Sequence, residues 1–355
     1  MSRIFTIFII VMMALTLATC VDPIPFEAED EVPKLVIFGT FTQRSQDHEV
    51  SIRLTDKFGS LGIPVQGALV ELIDEEANSA QYIEVDNGKY LLADGQICGE
   101  TGKAYKLIVT LPNQGQYEST WETMPEPVQI ENKYYEIDYR KQLSSSNILI
   151  EQFFVDVYIN TPLWTQSGDK VFLRWEIEET WSLTDKYCGA FDNVEACYYQ
   201  VNNKFEKLKL FAGFDNSQEK LENYRVHSRV LAPYIEFNEL HYFNVFQYSL
   251  SESTYEYWNK IDIVSNPTGS IFDKIPADVP GNINEIGSNS EVLGYFNVAA
   301  VTIVRVVTTR EQISEKIQIP RQCSPFISHF RQPLYCCYCD ILPNRIPKPD
   351  YWGER

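Results

Sequence analysis

The strongest constraint on this chain is a succession of short apolar runs that alternate with period two and are separated by Gly, Asn and Asp. LVIFGTF (35–41), EVSIRLT (49–55), IPVQGALVELIDE (63–75), SAQYIEV (79–85), GKYLLA (88–93) and KAYKLIVTL (103–111) follow one another. Turn signals stand between them, as at Asp86-Asn87-Gly88 and Asp94-Gly95. Successive strand side chains point to opposite faces, so this alternation suits strands with one buried face. Strands so short, recurring about every 10–14 residues, indicate an antiparallel sandwich.

MPEPVQI (124–130) reads as a linker, because its two prolines favour extended backbone and end strand pairing. The pattern then resumes in YYEIDYR (134–140), FFVDVYIN (153–160), KVFLRWEIEETW (170–181), KLKLFAGF (207–214), HYFNVFQYSL (241–250), VLGYFNVAAVTIVRVVTT (292–309) and EKIQIP (315–320). One helix is expected at about 250–263. Ser249 and Glu252 form a capping-box pattern, and Leu250, Thr254, Tyr257, Trp258 and Ile261 share one helical face. Pro267 and Gly269 end it. The expected fold is all-β: an immunoglobulin-like sandwich over 34–124, a larger sandwich over 128–320, and a Cys-rich tail over 321–355.

Composition excludes some functions. The chain is 44% hydrophobic and 13% aromatic, too apolar for a disordered polymer. Its formal charge of −19 argues against nucleic acid, whose phosphates need clustered Lys and Arg, and against adhesion to anionic lipid.

Residues 1–19 place one charge, Arg3, before an apolar run from Ile4 to Leu17. That run is too short to span a bilayer and fits the core of a signal peptide. Leu17-Ala18-Thr19-Cys20 resembles a bacterial lipobox, with Cys20 as the lipidation site and Thr19 as an unusual residue before it. Several acyl chains on Cys20 would give stable anchoring. Residues 20–33 carry Asp22, Glu27, Glu29, Asp30 and Glu31 among three prolines, so they read as an extended acidic tether. Acid soon after the lipid cysteine is similar to the export signals of Bacteroidota surface lipoproteins.

Seven cysteines follow Cys20: Cys98, Cys188, Cys197, Cys323, Cys336, Cys337 and Cys339. An exported chain meets an oxidising compartment, so all seven are disulfide candidates, and the odd count leaves at least one thiol over. Cys188 and Cys197 suggest a short loop disulfide, and Cys323 is a partner for one of the C-terminal cluster. A metal site from Cys336, Cys337, Cys339 and His329 is disfavoured, because an exported compartment favours oxidation of the thiols.

No catalytic motif is present: no HExxH, no G-x-S-x-G elbow, no P-loop and no G-x-G-x-x-G. Glu178-Glu179 and Glu75-Glu76 are adjacent, so on a strand they point to opposite faces and cannot form a glycosidase pair. His241 reads as a sheet residue or a rim contact. No catalytic residue, cofactor or metal ligand is assigned.

Gly67-Ala-Leu-Val-Glu-Leu, Gly88-Lys-Tyr90 and Gly102-Lys-Ala-Tyr105 resemble immunoglobulin-like domains of carboxypeptidases and of many surface receptors. The second half carries Trp175-Glu-Ile-Glu-Glu-Thr-Trp181, Tyr248-Ser-Leu-Ser-Glu-Ser-Thr-Tyr-Glu-Tyr-Trp258, Pro280-Gly-Asn-Ile283, Val292-Leu-Gly-Tyr-Phe296, Cys336-Cys-Tyr-Cys339-Asp and Lys348-Pro-Asp-Tyr-Trp352. In that order they resemble the Bacteroidota outer-membrane lipoprotein family catalogued as domain of unknown function 4249. The tail departs from the family pattern at Cys339-Asp-Ile-Leu-Pro-Asn-Arg. The resemblance implies a lipid-anchored accessory of a TonB-dependent receptor, acting in ligand capture or uptake. A cell-surface adhesin or structural module is the alternative expectation, and a surface hydrolase a weaker one.

Overall fold

Alternating apolar residues become strands that each bury one face. In the computed structural model the described residues are 32–353, apart from 46–47, 57–61, 113–114, 144–147, 185–195, 203–207, 214–217, 233, 267–278, 289–291, 319–322, 324–330 and 332. The first strands are β1 (Leu35–Thr42), β2 (Glu49–Leu54), β3 (Ile63–Pro64), β4 (Leu69–Asp74), β5 (Ser79–Asp86), β6 (Lys89–Leu92), β7 (Ala104–Thr110), β8 (Gln116–Ser119) and β9 (Glu122–Thr123). Then come β10 (Asn132–Leu143), β11 (Leu149–Pro162), β12 (Phe172–Thr184), β13 (Ala196–Asn202), β14 (Lys209–Ala212) and β15 (Lys220–Val230). β16 (His241–Leu250), β17 (Ile283–Glu285), β18 (Phe296–Thr308) and β19 (Arg345–Ile346) complete the strands. The α-helices are α1 (Glu252–Ser265) and the single turn α2 (Arg310–Ser314).

Two sheets result, and the fold is all-β. The large one runs β17-β8-β7-β4-β5-β6-β2-β1-β18-β16-β12-β13-β19, with β3, β9 and β14 attached at its margins. The small one is β10-β11-β15. The N-terminal strands join the rest through β1 and β18, which pair in parallel from Gly39 opposite Phe296 to Thr42 opposite Ala299. One core gathers Ile37, Phe41, Ile52, Val70, Leu72, Tyr90, Leu107 and Phe296. A second core lies between the sheets, with Val155, Val157 and Ile159 of β11 against Leu173, Trp175 and Ile177 of β12 and Val245 of β16. On the other face of that half, Tyr257 and Trp258 of α1 pack with Phe172, Leu250 and Ala299.

Several local expectations need correction. IPVQGALVELIDE splits into β3 and β4, because Gly67 between them takes a left-handed φ of 70°. The described part of EKIQIP, residues 315–318, is not a strand. Thr309 and Gln312 make a full capping box ahead of it, and the chain turns there with Ile313 and Ile317 buried. The cap of α1 is Ser251, whose side chain accepts from Thr254 N, while Ser249 lies inside β16 and accepts from Val128 N at 3.1 Å. MPEPVQI forms no strand, yet it is pinned to the sheet. The Val128 carbonyl accepts from Gln247 Nε2 at 2.9 Å and Thr302 Oγ1 at 2.8 Å.

Candidate functional site

The alternation of β12 puts Leu173, Trp175, Ile177, Glu179, Trp181 and Leu183 on one face, with the first three packed against the small sheet and the last two against Ile235 and the cysteines of the tail. Glu179 is the charged member of that apolar series, and it is only 1% exposed. Two histidines and an arginine meet it there. His227 Nε2 lies 3.0 Å from Oε1, His241 Nε2 lies 3.0 Å from Oε2, and Arg229 donates to the carboxylate while bridging to Glu236. His241 Nδ1 faces the Glu236 carbonyl at 3.1 Å, and its ring stacks on Phe237 at 4.3 Å. These residues come from β12, β15, β16 and the turn at Tyr234–Phe237, so the cluster ties the small sheet to the large one.

Electrostatics follow from that geometry. Burial pushes the Glu179 carboxyl up, but hydrogen bonds from His227 and His241 and the charge of Arg229 reverse this and hold it well below the usual range. Oxygen and nitrogen ligand atoms of Glu179, Glu236 and His241 lie within 4.8 Å of one another, a spacing that would suit a metal ion. The Arg229 guanidinium, however, already bonds both carboxylates, so the position of the cation is taken by the chain itself. The cluster has the chemistry of a buried clamp.

Glu178 lies on the opposite face, as adjacent strand residues must, and accepts from Gln200 Nε2 at 2.7 Å. The same face carries Arg174, whose guanidinium sits between the Tyr248 and Trp258 rings at 4.6 and 4.4 Å and pairs with Glu176 at 2.7 Å. At its far end Tyr351 exchanges hydrogen bonds with Thr180 and Asn244, each at 2.9 Å, and lies 3.9 Å from the Arg305 guanidinium carbon.

The C-terminal tail reaches both faces. Cys197 is bonded to Cys339, not to Cys188 as the short loop suggested, and Cys323 is bonded to Cys336. Both pairs join Trp181 and Tyr199 in one buried cluster. β19 then adds to the edge strand β13, and Trp352 packs on Tyr198 and Tyr242 across the edge. Cys337 is also disulfide-bonded. Cys98 is free and exposed. Cys20, Cys188 and His329 lie outside the described residues.

The family model described as domain of unknown function, DUF4249, matches residues 21–305. The chain belongs to the DUF4249 family. No curated protein matches it. The DUF4249 match spans the Glu179 cluster and the face of Arg174 and stops before the disulfide-bonded tail. Among the described residues no helix is long and apolar enough to cross a membrane, which leaves strand-built spans unaddressed.

The Glu179 cluster is what motif reading missed. A signal was present, since both Glu179 and His241 fall in the apolar phase of their strands. Their partners on β15 were out of reach, because that strand had not been recognised.

Proposed function

We propose that this DUF4249 chain is a non-enzymatic lipoprotein of a Bacteroidota outer membrane, tethered through Cys20, and an accessory of a TonB-dependent receptor in ligand capture or uptake. The observation that carries the reading is the disulfide set on the tail, with Cys197–Cys339 and Cys323–Cys336 both buried. Disulfides persist in oxidising compartments, which supports export. The family match begins at residue 21, directly after Cys20, in line with a leader that ends there. The Glu179 cluster is largely buried and internally paired, which favours structural use over catalysis.

The test combines fatty-acid labelling with co-purification. The wild-type chain should incorporate an alkyne-tagged fatty acid, and Cys20→Ala should not. The tagged lipoprotein, drawn from detergent-solubilised outer membrane, should bring a TonB-dependent receptor with it. Recovery of the lipoprotein alone, with the receptor abundant in the same extract, rejects the partnership.

A further inference from the structure

β19 covers only part of its neighbour β13. Ile346 pairs with Tyr198 and Arg345 with Tyr199, and Gln200 N donates to the Asn344 carbonyl at 3.1 Å. The same register, carried on, would set Lys348 against Ala196. The ladder stops first, at Pro347 and Pro349, whose rings fix φ at about −65° and take the chain off the strand. Where the two segments part, a cavity of about 560 Å³ opens, lined by Ala196, Tyr198, Arg345, Ile346, Pro347 and Lys348. That volume lies in the range of small-ligand sites. Both ends of the tail segment are anchored. Ahead of β19, Cys339 is bonded to Cys197. Behind it, Trp352 packs on Tyr198 at 4.9 Å, and Tyr351 exchanges hydrogen bonds with Thr180 and Asn244.

The lining is cationic. Lys348 is exposed and forms no ion pair among the described residues, and Arg345 lines the cavity with it. Glu239 acts on Tyr198 through its charge, yet its carboxylate already accepts from Ser182 and Thr184. Residues 321–355 carry five cations and three anions, a positive segment in a chain of −19. Physiological salt screens charges beyond about 8 Å, so an ion in the cavity meets the two local cations more than the distant acids. A guanidinium fork beside an ammonium suits a carboxylate or a phosphate. Tyr198, Ile346 and Pro347 add apolar wall next to them. We infer that this cavity binds a small molecule that joins one oxyanion, carboxylate or phosphate, to a compact apolar body. The assignment gives a ligand class to the capture proposed above and rests on that reading for its purpose. Binding itself is tested on the chain without a receptor, so either can fail alone.

The probes are benzoate, phenyl phosphate and the neutral benzyl alcohol. Each is titrated into the full lipidated chain in neutral detergent and followed by ligand-observed NMR, with empty micelles as the blank. At least one of the two anions should bind with a Kd below about 10 mM, and benzyl alcohol at least about threefold more weakly. The tighter anion names the oxyanion. Lys348→Gln should weaken that anion at least about threefold, and Lys348→Arg should keep its affinity. Lys133→Gln, the same charge change at an exposed residue of β10, should leave it unchanged. All variants should melt with the parent, since these side chains are exposed. No binding of either anion at 10 mM, equal binding of benzyl alcohol, or undiminished affinity in Lys348→Gln overturns the inference. Anion binding as expected, with no receptor recovered in the co-purification, overturns the function and leaves the cavity's chemistry standing.

Discussion

His241 Nε2 lies 3.0 Å from Glu179 Oε2, and neither side chain reaches solvent. Glu179→Gln leaves His227, Arg229 and His241 without their shared anion. Removing one partner of a buried ion pair costs about 3–5 kcal/mol. Urea denaturation should show that loss as a lower midpoint. An unchanged midpoint would show that the cluster adds nothing to stability.

Glu179 also sets an acid limit. Its folded carboxyl titrates below the unfolded value, so its contribution is complete above the ordinary carboxylate range and fades as pH falls through the folded value. Asp74 behaves likewise. Burial pushes its carboxyl up, but hydrogen bonds from Asn78 and Lys103 bring it down from 3.8 to about 2. Stability measured from pH 5 down to 2 should fall less steeply in Asp74→Asn than in the parent, because the parent alone must take up that proton. Parallel curves would count against the assignment.

The Cys197–Cys339 bond spans 142 residues of sequence. Closing so long a loop is worth about 5 kcal/mol in the chain-entropy account. Cys339→Ala should destabilise the chain strongly and open the Arg345–Ile346 bond to trypsin, read by mass spectrometry of the fragments. Cys98→Ala, at an exposed free thiol, should move stability by no more than about 0.5 kcal/mol.

Gly294 has a φ of 95°, and an added Cβ would lie 2.0 Å from the Ile37 carbonyl oxygen. Gly281 presses on Gly294 in the same way, with its own added Cβ 1.7 Å from the Gly294 carbonyl oxygen. Gly294→Ala combines left-handed backbone strain with a clash against rigid main chain, for about 2–4 kcal/mol. Thermal unfolding of the variant reads it. A melt equal to the parent's would mean that the backbone can yield.

The strands were legible wherever alternation was strong. HYFNVFQYSL matches β16 to the residue. β13 and β15 escaped because ACYYQVN and KLENYRVHSRV lack a regular apolar beat. On β15 the buried positions include His227, whose value lies in charge pairing that no periodicity records. The cap of α1 was expected at Ser249 and falls at Ser251, because β16 continues through Leu250. Cys197 found its partner at the far end of the chain, where no spacing rule points.

The parallel seam between β1 and β18 has a kinetic meaning. Gln43 grips the backbone of Val301 through both its amide atoms, across 258 residues of sequence. Contacts so distant in the chain form late and slow folding. The first strand therefore waits, with one edge unsatisfied, until nearly the whole polypeptide has emerged. Ile37 and Phe41 cannot complete their surroundings before Phe296 and Val298 arrive. A polypeptide built this way stays loose for most of its synthesis, the condition in which a chain can be threaded through a narrow secretion channel. Its native form is sealed only once Phe296 and Val298 are in place.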